Sequence, residues 1–151
     1  MITPLEHDDV NILLVDDDSI TRDLLTRILQ KMGIATILTA ADGSEGLRLA
    51  HENVLSLVVC DVQMRPVDGL AFLGGLRNSL DKVVATTPVL MFTSDATSTA
   101  MDRARKLGIE GYVIKPFSPS GFSVRVAELI AMHHENRVSM RQYGVAKTAG
   151  A

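Results

Sequence analysis

A chain of 151 residues with 46% hydrophobic content suits one domain with one core and argues against wholesale disorder. It has no apolar run long enough to span a bilayer, and a single cysteine excludes an internal disulfide. A formal net charge of -3 gives no sign of direct nucleic-acid binding. The opening residues, with Glu6, Asp8 and Asp9 and no apolar segment, are neither a signal nor a transit peptide, so cytoplasm is the default compartment.

Residues 1–9 read as an N-terminal extension. Val10 to Val15, apolar except for Asn11, is a strand-like run that stops at Asp16-Asp17-Asp18. A helix from Ser19 to Met32 follows, with an i, i+4 row of Ile20, Leu24, Ile28 and Met32 and with Leu25 and Leu29 beside it. Asp18 or Ser19 caps its start and Gly33 follows its end. Ala35 to Thr39 reads as an edge strand, and Asp42 opens a short helix to about His51.

Leu57 to Asp61 is the central strand: four apolar residues running straight into a carboxylate. After a loop from Val62 to Gly69, a helix covers Leu70 to about Leu80, with Leu70, Leu73 and Leu76 facing inward. Gly74-Gly75 weakens it by roughly 1 kcal/mol per glycine relative to alanine. Asp81 to Thr87 reads as a connector. Pro88 to Phe92 is a fourth strand that stops at Thr93-Ser94. A mostly polar helix from about Thr97 to Leu107 should pack lightly through Ala100, Met101, Ala104 and Leu107. Gly111 to Ile114 is a fifth strand, ending at Lys115-Pro116. The last helix, Ser118 to about Asn136, has an inward stripe of Phe122, Val126, Leu129, Ile130 and His133. Residues 137–151 contain Arg137, Arg141 and Lys147 and no acid, and read as a frayed helix end passing into a basic, disordered tail.

Five strands alternating with five helices predict an α/β fold with a doubly wound parallel sheet, and five strands fit the flavodoxin-like order 2-1-3-4-5. The body of the domain is then residues 10–136. Such sheets carry their chemistry at the carboxyl ends of the strands. Asp16, Asp17, Asp61, Thr93 and Lys115 all stand at such ends.

One aspartate suffices to cap a helix; three in a row at the end of a buried strand do not need that role. Like charges about 4 Å apart cost on the order of 4 kcal/mol at an effective dielectric of 20, so a carboxylate cluster calls for shared protons or a cation. Oxygen ligands of this kind suit Mg²⁺. Lys115, directly after a buried strand and facing that cluster, reads as a fixed counter-charge. Cys60 reads as a small buried hydrophobe, and His133-His134 as a half-buried, half-solvated pair rather than a metal site.

With these residues in order, the chain resembles a response-regulator receiver domain of two-component signalling, of the single-domain chemotaxis-regulator type. The resemblance rests on Leu13-Leu14-Val15-Asp16-Asp17, on Asp61-Val62-Gln63-Met64 with Asp68-Gly69, on Thr93-Ser94, and on Gly111 to Phe117. It covers roughly Asn11 to His133. It implies that Asp61 is the phospho-acceptor. Asp17 is implied as a direct Mg²⁺ ligand, Asp16 as an acid acting mainly through water, and the Gln63 backbone carbonyl as a third protein ligand. Lys115 would pair with the phosphoryl oxygens, Thr93 would move to the phosphate, and Tyr112 would turn inward with it. The implied partners are a sensor histidine kinase or phosphotransfer protein and a downstream target protein, with no nucleic acid or membrane. The implied role is a switch that catalyses only its own phosphoryl transfer and dephosphorylation, not an enzyme acting on other substrates. The sequence departs from the family at Arg65, where proline is usual; here proline is one position later, at Pro66. Two other functions compete. A haloacid-dehalogenase-type phosphatase would use Asp16-Asp17-Asp18 but needs a later acidic pair, and only Glu128 and Glu135 follow Lys115. A receiver-like domain that no longer takes phosphate sits poorly with the retention of Asp16, Asp17, Asp61, Thr93 and Lys115. No output domain follows Asn136 in this sequence, which suits either a stand-alone regulator or part of a longer protein.

Overall fold

The computed structural model describes residues 9–64 and 68–142, the last nine of these, 134–142, by backbone alone. Five parallel strands form one sheet: β1 (Asn11–Val15), β2 (Thr36–Ala40), β3 (Leu57–Asp61), β4 (Val89–Thr93) and β5 (Gly111–Ile114). Their order is β2-β1-β3-β4-β5, as the alternation of strands and helices predicts. The helices are α1 (Ser19–Lys31), α2 (Gly43–Glu52), α3 (Gly69–Arg77), α4 (Lys82–Ala85), α5 (Thr99–Leu107) and α6 (Pro119–Gln142). The first crossover goes outward from β1 to β2, and the chain then returns to the other side of β1 as β3. The sheet therefore changes direction between β1 and β3, which places Asp16 and Asp61 on either side of that point.

The pleat divides the strand side chains between two cores. Leu13, Val15, Val58, Cys60, Val89 and Met91 face a core closed by Phe72, Leu73 and Leu76 of α3, Val84 of α4, and Met101 and Ala104 of α5. Ile12, Leu14, Leu57, Val59, Leu90 and Phe92 face the other, closed by Leu25, Ile28 and Leu29 of α1 and by Phe122, Val126, Leu129 and Ile130 of α6. All five residues of β3 and of β4 are buried, which explains their unbroken apolar runs. Helix α5 buries only Met101 and Ala104, the light packing its polar sequence predicts.

Side-chain caps start the helices. Asp18, Asp42, Asp68, Asp81 and Ser98 each accept a hydrogen bond from an amide in the first turn of α1, α2, α3, α4 and α5. The structure corrects the sequence reading in four places. The Ile20–Met32 row is not the buried stripe of α1: Ile20 is 76% and Leu24 44% exposed. Four residues turn a helix through about 400°, so an i, i+4 row drifts by about 40° per step and spirals off the sheet; the buried arc is Leu25, Ile28 and Leu29. The expected connector Asp81–Thr87 contains the short helix α4, which Arg77 supports by donating to the carbonyls of Ala85 (3.0 Å) and Thr87 (2.7 Å). Helix α3 stops at Arg77 rather than near Leu80, leaving Leu80 exposed. Helix α6 runs past Asn136 to Gln142, so that expected boundary falls inside a helix. The Arg65 departure, the 1–8 part of the extension and residues 143–151 lie outside the described residues.

Two glycines of α3 separate steric need from mere composition. A Cβ on Gly69 would stand 2.1 Å from the Asp61 carbonyl oxygen and 2.9 Å from the Val62 Cα, so the helix start rests directly on backbone beside Asp61. A Cβ on Gly74 would meet nothing within 4 Å. Gly69→Ala should therefore lower the unfolding free energy by about 2–4 kcal/mol, while Gly74→Ala should raise it by up to about 1 kcal/mol. Urea denaturation of both variants checks this pair of opposite signs.

Candidate phospho-acceptor site

Asp61 ends β3 with its carboxylate almost fully buried. The Lys115 Nζ donates to Asp61 Oδ2 at 2.6 Å, reaching across from the end of β5. The Gln63 amide donates to Asp61 Oδ1 at 3.0 Å, which folds the loop after β3 back over the carboxylate. Both oxygens are thus held and oriented. Beneath Lys115 the sheet end is fixed by rings: Phe92 packs against Phe117 (centroids 5.0 Å apart) and Phe122 (5.6 Å).

Asp16, Asp17 and Asp61 each offer a carboxylate oxygen within 4.8 Å of the others. Asp16 is buried and Asp17 exposed. The Asp18 amide donates to Asp16 Oδ1 at 2.9 Å, but Asp16 Oδ2 is buried with no hydrogen-bond partner. Burial, reinforced by the nearby Asp61 and Asp17 charges, pushes the Asp16 carboxyl up from 3.8 to about 6, against the opposing pull of the Asp18 amide and Lys115. Among the described residues three carboxylates face one ammonium, and one buried oxygen lacks a partner. That donor set fits a hard divalent cation with oxygen ligands. Asp18 is not part of it: its oxygens take the Ile20 amide and the Thr21 hydroxyl at the start of α1. An Asp-x-Asp phosphatase reading would need Asp18 in the site, so its capping role counts against that function.

Thr93 and Tyr112 are placed differently from the acids. The Thr93 hydroxyl donates to the Asp95 carbonyl (3.0 Å) and accepts from the Asp95 amide (3.1 Å), so it is engaged with its own loop. Tyr112 is 41% exposed on β5. Sequence reasoning missed two supporting residues. The Arg22 guanidinium donates to the Asp16 carbonyl and holds the Asp16-Asp17 peptide from one turn into α1; its position four residues after the Asp18 cap was the available signal. Arg105, whose guanidinium lies over the Tyr112 ring, had no sequence signal at all. Cys60 is a fully buried hydrophobe as expected, its thiol pushed well up by burial. His133 is half-buried, and the His134 side chain is outside the described part.

The family model for the response regulator receiver domain matches residues 12–127. The chain belongs to that family. Receiver domains are phospho-accepting switches of two-component signalling rather than classical enzymes; the family binds Mg²⁺ in an acidic pocket and works with histidine kinases and downstream targets. This receiver is 29% identical over 120 residues to the chemotaxis protein CheY of Pseudomonas aeruginosa, covering 80% of this chain and 95% of that one. It is 36% identical over 115 residues to the probable transcriptional regulator ycf27 of Galdieria sulphuraria, covering 76% of this chain but 43% of that protein. The chain thus spans under half the length of that relative. The structure of CheY4 from Vibrio cholerae superimposes with a TM-score of 0.72 at 28% identity, over 80% of this chain and 98% of that one. The receiver domain of sensor histidine kinase PA1611 from Pseudomonas aeruginosa PAO1, solved with a magnesium ion in its active-site cleft, shares the fold at a TM-score of 0.73 and 20% identity, over 81% of this chain and 98% of that one. Among the described residues no helix is long and apolar enough to cross a membrane.

The Asp16 shift sets a pH dependence. Its folded value of about 6 lies above the ordinary 3.8, so between these values the folded protein holds a proton that the unfolded chain releases. The stabilisation is complete below about pH 4 and is lost as pH rises through about 6. In chelator-treated protein, Asp16→Asn should remove this loss and leave the variant more stable than wild type above pH 6 by about 1–3 kcal/mol. Urea titrations at pH 4, 5, 6 and 7 measure it.

Proposed function

We propose that Asp61 is the residue that accepts the phosphoryl group, from a phosphohistidine on a sensor kinase or phosphotransfer protein. The observation that carries this is the double hold on its carboxylate, by Lys115 on one oxygen and the Gln63 amide on the other, beside the Asp16–Asp17 pair. An Asp61 oxygen attacks phosphorus, a new O–P bond forms, and the donor N–P bond breaks with its electron pair leaving on the imidazole nitrogen. The product is an acyl phosphate. Lys115 exchanges its carboxylate partner for a phosphoryl oxygen, so its charge follows the developing charge. Water later attacks phosphorus, the Asp61 O–P bond breaks, inorganic phosphate leaves and Asp61 returns to its carboxylate. Turnover is thus confined to the protein's own phosphate.

Asp17 as a direct ligand, Asp16 mainly through water, Asp61 and the Gln63 backbone carbonyl are the groups that would hold Mg²⁺. When bound, the ion supplies positive charge that neutralises phosphoryl oxygens and the acidic cluster. Arg22 serves this site indirectly by fixing the Asp16 carbonyl.

The response rests on Thr93 and Tyr112. A phosphoryl oxygen offers the Thr93 hydroxyl a charge-assisted bond stronger than the one it makes with Asp95. Drawing Thr93 inward opens space toward which Tyr112 turns, altering the face formed by α5, β5 and α6. That face meets a downstream protein.

Treatment with acetyl phosphate and Mg²⁺ should add one phosphoryl mass to wild type and none to Asp61→Asn, read by intact-mass spectrometry. An equal gain in Asp61→Asn would falsify the assignment. By calorimetry, Asp17→Asn should lose at least about tenfold in Mg²⁺ affinity and Asp18→Asn little, since Asp18 caps α1; the reverse order would sink the metal assignment.

A further inference from the structure

The resting position of Tyr112 is held by a residue outside the phosphorylation site. The Arg105 guanidinium, on α5, lies 5.3 Å from the Tyr112 ring centroid, over its face. Its Nη2 donates to the Ala96 carbonyl at 2.8 Å, and its Nη1 pairs with Asp102 one turn earlier at 3.3 Å. Ala96 directly follows Asp95, the residue that grips the Thr93 hydroxyl through both its amide and its carbonyl. One guanidinium therefore touches both moving parts of the switch: the loop that releases Thr93 and the ring that must turn.

We infer that Arg105 is a clasp that holds Tyr112 outward until the Thr93–Ala96 loop moves. The inference rests on the proposed Thr93–Tyr112 switch. A cation over an aromatic face favours the ring position that keeps the contact, so turning Tyr112 inward costs that attraction. The planar fork fixes the guanidinium only while its anchor stays in place. When Thr93 leaves Asp95, the adjacent Ala96 carbonyl shifts, the fork loses its seat, and the ring is freed. The clasp is a positioning device: the bonds of Arg105 go to Ala96 and Asp102, not to Asp16, Asp17, Asp61 or Lys115. Its effect is on the population of the competent conformation, and a ligand that binds only that conformation binds more weakly in proportion to how rarely it is visited.

The test uses the full chain with Mg²⁺ and beryllofluoride as the phosphoryl mimic. Tyr112 ring resonances are followed by NMR and beryllofluoride affinity by titration, in wild type, Arg105→Ala and Arg105→Gln. Arg105→Gln retains an amide donor for the Ala96 carbonyl but no charge over the ring, and it keeps the test open if Arg105→Ala folds poorly. The clasp predicts that in both variants the free-state Tyr112 signals sit displaced from wild type toward the bound position. It predicts that beryllofluoride affinity rises about three- to tenfold. Mg²⁺ affinity stays at the wild-type value. If wild-type Tyr112 shifts on beryllofluoride binding while the variants keep wild-type free-state signals and affinity, the clasp is overturned and the switch stands. If wild-type Tyr112 does not shift at all, the switch falls and takes the clasp with it.

Discussion

The pairing of Asp61 with Lys115 across the ends of β3 and β5 is the interaction around which the functional edge of this domain is arranged. It spans 54 residues of sequence and closes to 2.6 Å. It does not neutralise its surroundings, because Asp16 and Asp17 lie within the same cluster and, among the described residues, the ion pair made with these three carboxylates is that of Lys115 alone. Burial and the neighbouring acids hold Asp16 up to about 6, so a proton relieves part of the imbalance only below that pH. The rest is a standing preference for positive charge and for ligands that bring it. A partly buried charge cluster left in this condition costs stability, and a fold that keeps one retains it against that cost.

The surrounding packing exists to hold this cluster at the sheet edge. Two cores clamp β3 and β4 from both faces, so the strand ends cannot slide. The start of α3 lies so close to the Asp61 backbone that only glycine fits at position 69. The rings of Phe92, Phe117 and Phe122 pack on one another, tying the end of β4 to the segment after β5 and to α6. Against this rigid side stands a looser one. Thr93 is tied to its own loop, Tyr112 is exposed, and α5 buries two side chains. A firmly packed strand end and a lightly packed face are thus placed on neighbouring elements.

The sheet and its order were legible because buried parallel strands leave unbroken apolar runs, and Leu57–Asp61 and Gly111–Ile114 were located to the residue. The strand-end positions of Asp16, Asp61 and Lys115 followed from the same runs, and the acidic cluster from their convergence. Helix faces were less legible. The Ile20–Met32 row misled because spacing alone does not say where a helix sits over the sheet, and the cap at Asp18 leaves the first turn of α1 largely in solvent. Helix α4 was hidden by its length and its two valines, although the Asp81 cap was in plain view. The contacts of Arg22 and Arg105 depend on guanidinium reach across elements, for which no local pattern exists.

The central claim is that Asp61, and not one of the three aspartates after β1, carries the phosphoryl group. Borohydride reduces an aspartyl phosphate to homoserine, which marks the modified residue permanently. Wild-type protein treated with acetyl phosphate and Mg²⁺, reduced and mapped by tandem mass spectrometry, should carry homoserine at position 61 alone. Homoserine at position 16, 17 or 18, with position 61 unmodified, would contradict the account.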